Sequence, residues 1–161
     1  MIQTPIILTL ESINLIGHAL EMSLIDDRTQ ELFSKFMPNI KQIYTTKKTD
    51  VYEVLIYDAN YLKKINPEKT FTKWACVKAV HCKLVTTSME SLTIPKGLYA
   101  VFNYKGVAKN FGMFMQSIYT TWQPNSAYII DNRPHFNVLG GQYKNNQPNS
   151  EERVYIPIKL K

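Results

Sequence analysis

The side chains best suited to hold a metal are His18, His81, His135, Cys76 and Cys82. Their spacing does not suit one. The histidines stand alone, and structural zinc sites use close pairs such as Cys-x2-Cys. His81 and Cys82 are neighbours, so in a strand they point to opposite faces. No Gly-x-Ser-x-Gly elbow marks a serine nucleophile. The double glycine Gly140-Gly141 runs into Gln142-Tyr143 and not into a Lys-Ser/Thr pair, so no phosphate loop is present. No metal, no cofactor and no catalytic set is predicted. The chemistry the chain does carry is aromatic: ten Tyr, seven Phe and two Trp. Tyr52, Tyr57, Trp74, Tyr99, Tyr104, Tyr119 and Tyr155 fall in regular elements, and most of them belong in a core with hydroxyls at its rim. The remainder can wall a flat-sided pocket for a planar or apolar molecule.

The elements that must position these rings follow from patterning. With 161 residues the chain supports one full-sized core, read as a single domain over 1–161. Two Cys exclude a disulfide scaffold, and six Gly with eight Pro exclude a collagen-like chain. No apolar run approaches the ~18–20 residues of a membrane span, and no basic flank precedes Ile6-Ile7-Leu8. Free thiols and the lack of a leader pattern predict a cytoplasmic protein. The net charge of +6 is scattered, as in Lys47-Lys48 and Lys63-Lys64, so direct DNA binding is not expected.

Apolar residues recur at helical spacing over 28–44 (Leu32, Phe33, Phe36, Ile40, Ile43, Tyr44) and over 109–122 (Phe111, Phe114, Met115, Ile118, Tyr119, Trp122). Asp26 and Asp27 are candidate caps of the first helix. Pro38 predicts a kink or break in it, and Pro124 a stop to the second. Strands are read at 6–10 into 15–22, 51–57, 72–80, 98–104, 127–130, 136–139 and 153–160, with polar spacers at 45–50, 58–70, 86–91 and 144–152. The order is β-α-β-β twice, with halves near 1–85 and 86–161. The expected fold is α+β: a duplicated β-α-β-β repeat with pseudo-twofold symmetry, antiparallel sheets and two outer helices. The uncovered sheet faces must bury against each other and leave a ligand cleft along the axis.

Several segments, in this order, match a known pattern. They are Glu31-Leu32-Phe33 with Phe36-Met37-Pro38, Asp50-Val51-Tyr52-Glu53-Val54, Phe71-Thr72-Lys73-Trp74-Ala75, Ile94-Pro95-Lys96-Gly97-Leu98-Tyr99, Pro134-His135-Phe136 and Val154-Tyr155-Ile156-Pro157. The set resembles the gyrase-inhibitor-like superfamily, the effector-binding domains of bacterial transcription activators, and within it the stand-alone integron-cassette type. The resemblance spans nearly the whole chain. It implies two β-α-β-β repeats around a central pocket for hydrophobic, often cationic, drug-like molecules. Many relatives carry a helix-turn-helix ahead of this domain, and the chain is expected to lack one.

The resemblance and the patterning together give a candidate ligand-binding set of Phe36, Tyr57, Trp74, Phe102, Tyr104, Phe114, Asn137, Arg153 and Tyr155. Three positions depart from the family. An acid is common where this chain has Asn137, Gly141 and Arg153. A buried carboxylate attracts a cation and serves hydrolysis, so weak cation binding is expected, with Arg153 favouring an anion or pairing with Glu151 in solvent. Glu151 and Glu152 are the candidate substitutes, and only Glu151 shares a strand face with Arg153 and Tyr155. The expected role is binding of a small aromatic or hydrophobic molecule without catalysis. The alternatives are hydrolysis of small electrophiles, or modulation of a protein partner such as gyrase or a transcription regulator.

Overall fold

The computed structural model describes residues 3–43, 50–82 and 88–161, with side chains of 41–43 excluded. Ile43's side chain, Tyr44, the Lys47-Lys48 pair and most of the 45–50 spacer therefore lie outside the described residues, as do 86–87. The elements are β1 (Ile6–Leu10), β2 (Ile13–Met22), α1 (Thr29–Ile43), β3 (Val51–Ile56), β4 (Phe71–Lys78), β5 (Glu90–Ile94), β6 (Gly97–Lys105), α2 (Phe111–Ser117), β7 (Tyr128–Ile130), β8 (His135–Leu139) and β9 (Glu151–Leu160).

The strands hydrogen-bond in the order β1-β6-β9-β8-β3-β4-β2-β5, with β7 added on β9. Every pairing is antiparallel. The two half-sheets are joined edge to edge through β3 and β8 into one sheet. Its curl follows from two short links. Glu11-Ser12 connects β1, at one edge, to β2, beside the other edge, and Pro95-Lys96 does the same for β5 and β6. Three Cα steps reach at most about 11 Å, so the edges must come together at that end.

The duplication is exact in register although hidden in sequence. Adding 84 to a residue number carries Ile6, Ile13 and Val51 onto Glu90, Gly97 and His135, the first residues of β5, β6 and β8. The pair Val54–Trp74 recurs as Val138–Arg153, an offset of 79 for the last strand of each half. Under this mapping Glu53 matches Asn137, and the two are cross-strand partners. The pseudo-twofold axis therefore passes between them, and it also matches Lys73 with Glu152.

Alternation sorts the strands into two faces. On the inner face, Leu15, Tyr52, Val54, Trp74 and Cys76 of the first half pack with Ile94, Tyr99, Phe136, Val138 and Tyr155 of the second. The outer face carries both helices. Leu32, Phe36 and Ile40, four residues apart on α1, pack on Ile16, Met22, Val51, Ala75 and Val77. On the second half, Phe114, Ile118 and Trp122 cover Ala100, Phe102, Val154 and Ile156.

Pro38 acts differently from expectation, while the second helix ends beside Pro124 as expected. The α1 helix runs through Pro38 without a break. Its amphipathic face holds it on the sheet, and tertiary packing outweighs the lost hydrogen bond. The second helix passes from α2 through a π-helical turn at Ile118–Trp122 and ends at Asn125, one residue after Pro124. The wider turn accommodates the ring, which an α-turn would crowd. At the N-terminus of α1, Thr29 donates its backbone N–H to Asp27 Oδ1 (2.9 Å), so Asp27 serves the cap and Asp26 does not. The polar spacer expected at 86–91 ends in β5, which pairs with β2.

Candidate functional site

Since α1 lies on β2 and β4 and the second helix on β6 and β9, the strip formed by β3 and β8 is left between them. On that strip and its flanks, the outer-face phase places Glu53, Lys73, Asn137 and Glu152. These are the two residues at the axis and the next matched pair. Apolar neighbours hold the phase: Val51 and Leu55 flank Glu53, Phe71 and Ala75 flank Lys73, and Val154 follows Glu152.

Lys73 Nζ donates to Thr29 Oγ1 at 2.7 Å and lies 3.7 Å from Glu53 Oε1. Their side chains are only 12% and 16% exposed, so the ammonium is fixed between the start of α1 and the axis. Burial raises the Glu152 carboxyl to about 7, and the Glu53 charge adds to the rise while Lys73 opposes it. A carboxylic acid that titrates near neutrality thus sits beside a second acid.

Tyrosines surround this floor. Burial raises the Tyr143 phenol, with the charges of Glu152 and Glu53 contributing. Tyr57 is raised well above its ordinary value, first by burial and then by Tyr119, Tyr61 and Glu53. It stacks on Tyr61 at 4.6 Å between centroids and meets His135 edge-on at 5.2 Å. Tyr119 Oη lies 3.4 Å from His135 Nδ1. Burial, helped by Arg133, lowers His135 to about 3, so the imidazole is neutral. This half-buried strip between the helices, bearing two acids and bordered by tyrosines, is the candidate groove. Among the described residues no group of three His, Cys, Asp or Glu could hold a metal.

The nine residues predicted to bind ligand separate into three places. Tyr57 and Asn137 are at the groove, Asn137 buried and facing Glu53. Phe36 is fully buried under α1, while Phe102, Tyr104 and Phe114 belong to the core beneath the second helix. Tyr104 is also occupied by a 2.6 Å hydrogen bond from its hydroxyl to the Val107 carbonyl. Trp74 and Tyr155 are on the inner face, and Arg153 is at its rim. They do not converge on one pocket, because neighbouring residues of a strand face opposite ways. The pairing of Arg153 with Glu151 is not formed: Arg153 lies 3.8 Å from Asp50, and Glu151 pairs with Lys105 at 3.0 Å.

Two acids stand next to positions 137 and 153 in the backbone of the sheet. Glu53 is the cross-strand partner of Asn137, and Glu152 is the next residue along β9. The register rightly sets Glu152 on the face opposite Tyr155; that face is the groove. Lys73, His135 and Tyr143 carry no role in the sequence reading. The legible signal for the charged ones is a charge at a strand position whose phase is apolar.

A pseudo-twofold antiparallel sheet with both helices on one face is the fold of an effector-binding domain. The EcmrR C-terminal domain superposes with a TM-score of 0.69 over 100% of both chains at 8% identity. SAV2435 bound to tetraphenylphosphonium matches at 0.67 and 12% identity, over 98% of this chain and 94% of that one. An integron cassette protein from the mobile metagenome of Vibrio cholerae matches at 0.64 and 12% identity, over 98% and 97%. The family model of the integron-associated effector binding proteins covers residues 6–158, and the chain belongs to that family. No curated protein sequence matches it. No described helix is long and apolar enough to cross a membrane.

Proposed function

We propose that this protein is an effector-binding module that takes a small aromatic cation into the groove at the pseudo-twofold axis. The observation that carries the reading is Glu152, a half-buried carboxyl raised to about 7 beside Glu53. With both acids ionised against Lys73, the floor has a net charge of one negative unit. Low local dielectric strengthens its attraction for a cation, and Tyr57, Tyr119 and Tyr143 supply ring faces. The structural relative SAV2435, bound to a lipophilic cation, supports the same class of ligand. This reading departs from the expectation of weak cation binding, which rested on positions 137, 141 and 153.

The test is a fluorescence titration with tetraphenylphosphonium and with neutral triphenylphosphine oxide between pH 6 and pH 8. Ionised Glu152 rises from about a tenth to about nine tenths across that range, so cation affinity should tighten several-fold, up to about tenfold. The neutral compound should show no such change, and Glu152→Gln should flatten the cation profile. Equal affinity for both compounds at every pH would overturn the reading.

A further inference from the structure

On the inner face, at the rim of the curled sheet, lies a cavity of about 230 Å³ that the groove does not reach. Its wall is aromatic. Phe136 and Tyr155 stack with centroids 4.4 Å apart and planes 10° apart, and Tyr52 tilts against Phe136 at 5.9 Å. Arg153, Lys78 and Asp50 stand at the same cavity. The volume is below the ~300–1,000 Å³ of drug-sized sites, so it suits a single ring with one substituent.

The charge at this cavity is opposite to that of the groove. Among its described lining residues, two cations face one carboxylate. The Arg153 guanidinium is 3.8 Å from Asp50, beyond hydrogen-bond reach, and its side chain is 55% exposed. Its planar fork is therefore not engaged in a bidentate pair. It is also held 6.0 Å from the Tyr155 ring centroid, beside that wall. Among the described residues no acid forms an ion pair with Lys78. A guanidinium fork and an ammonium beside an aromatic wall suit a small aromatic anion: the fork binds a carboxylate and the ring lies against the wall.

We infer that this inner-face cavity is a second binding site, selective for a small single-ring aromatic carboxylate that meets Arg153 and Lys78 with its carboxylate and Phe136 and Tyr155 with its ring. The site stands on the face opposite the cation groove and does not depend on that groove's function. Arg153 on β9 next to Glu152 gives adjacent residues to two sites of opposite charge preference.

The experiment uses benzoate as the probe, followed by 1H–15N NMR on the full chain, with benzamide as the neutral isostere. Benzoate should shift amides around Phe136, Arg153 and Tyr155 and saturate with a Kd of about 1 mM or tighter, as suits so small a ligand. Benzamide should bind about tenfold more weakly, and Arg153→Gln should cost benzoate a similar factor. Asp50→Asn should tighten benzoate a few-fold by removing the competing carboxylate. Repeating the titration with tetraphenylphosphonium present should leave the benzoate Kd unchanged. No saturable shift on the inner face, equal affinity for benzoate and benzamide, or shifts centred on Lys73 would each overturn the inference.

Discussion

Glu152 and His135 are both held away from their ordinary titration ranges, and in opposite senses for stability. Glu152 is raised from 4.5 to about 7 by burial and by Glu53. Between those values the folded chain holds a proton that the unfolded chain has lost, so stability falls as pH rises through the window. His135 is lowered from 6.5 to about 3. There the unfolded chain binds the extra proton, so stability falls as pH drops from 6.5 toward 3. Glu152→Gln removes the first effect. It should stabilise the protein at pH 8 by about 1–2 kcal/mol after discounting for partial solvent access, and change little at pH 5. His135→Gln, whatever its cost at neutral pH, should flatten the decline below pH 6. Urea unfolding at pH 4, 5, 6, 7 and 8 checks both. A Glu152→Gln effect that is the same at pH 5 and pH 8 would show that the carboxyl is not raised.

At the scale of elements, α1 separates what supports the groove from what lines it. Phe36 is fully buried among Leu32, Ile40, Ala75 and Val77. Phe36→Ala should cost about 3–5 kcal/mol through lost burial and the cavity left behind, while the folded fraction keeps its affinity for tetraphenylphosphonium. Thermal melts beside titrations of the folded protein would show it, and a loss of affinity without a loss of stability would place Phe36 at the ligand. The same element shows what the sequence makes legible. The stripes on α1 and the second helix are visible because helix period and burial agree. The strand β5 is not, because Glu90, Ser91 and Thr93 give an edge strand the composition of a spacer. The groove is concealed for a related reason. Glu53, Lys73 and Glu152 look like solvated charges until β3, β4 and β9 are in register. Phe36, Phe102 and Trp74 are large aromatics of the kind that pockets use, and cores use them too. The strand phase separates Asn137 from Tyr155, which sequence proximity to the same turn does not reveal.

At the scale of the whole molecule, the two halves exchange their first strands. Among the described residues, strand β1 of the first half hydrogen-bonds only to β6 of the second, and β5 of the second only to β2 of the first. The inner core is drawn equally from both: Tyr52, Val54 and Trp74 have no cover without Tyr99, Phe136 and Tyr155. A half of about 80 residues is already near the size at which a core is marginal, and here it would also expose one sheet face and leave its first strand unpaired. The groove has the same dependence, since Glu53 and Lys73 come from one half and Asn137 and Glu152 from the other. Fragments 1–87 and 88–161, made separately, should each lack dispersed amide signals and a cooperative melt. Mixed at equal concentration, they should recover both, because the pairing partners are supplied in trans, and they should recover tetraphenylphosphonium binding with them. The midpoint of that melt should rise with concentration, as mass action requires when folding and association are one step. A fragment that melts cooperatively alone would show that the exchanged strands and shared core are not what makes the halves one unit.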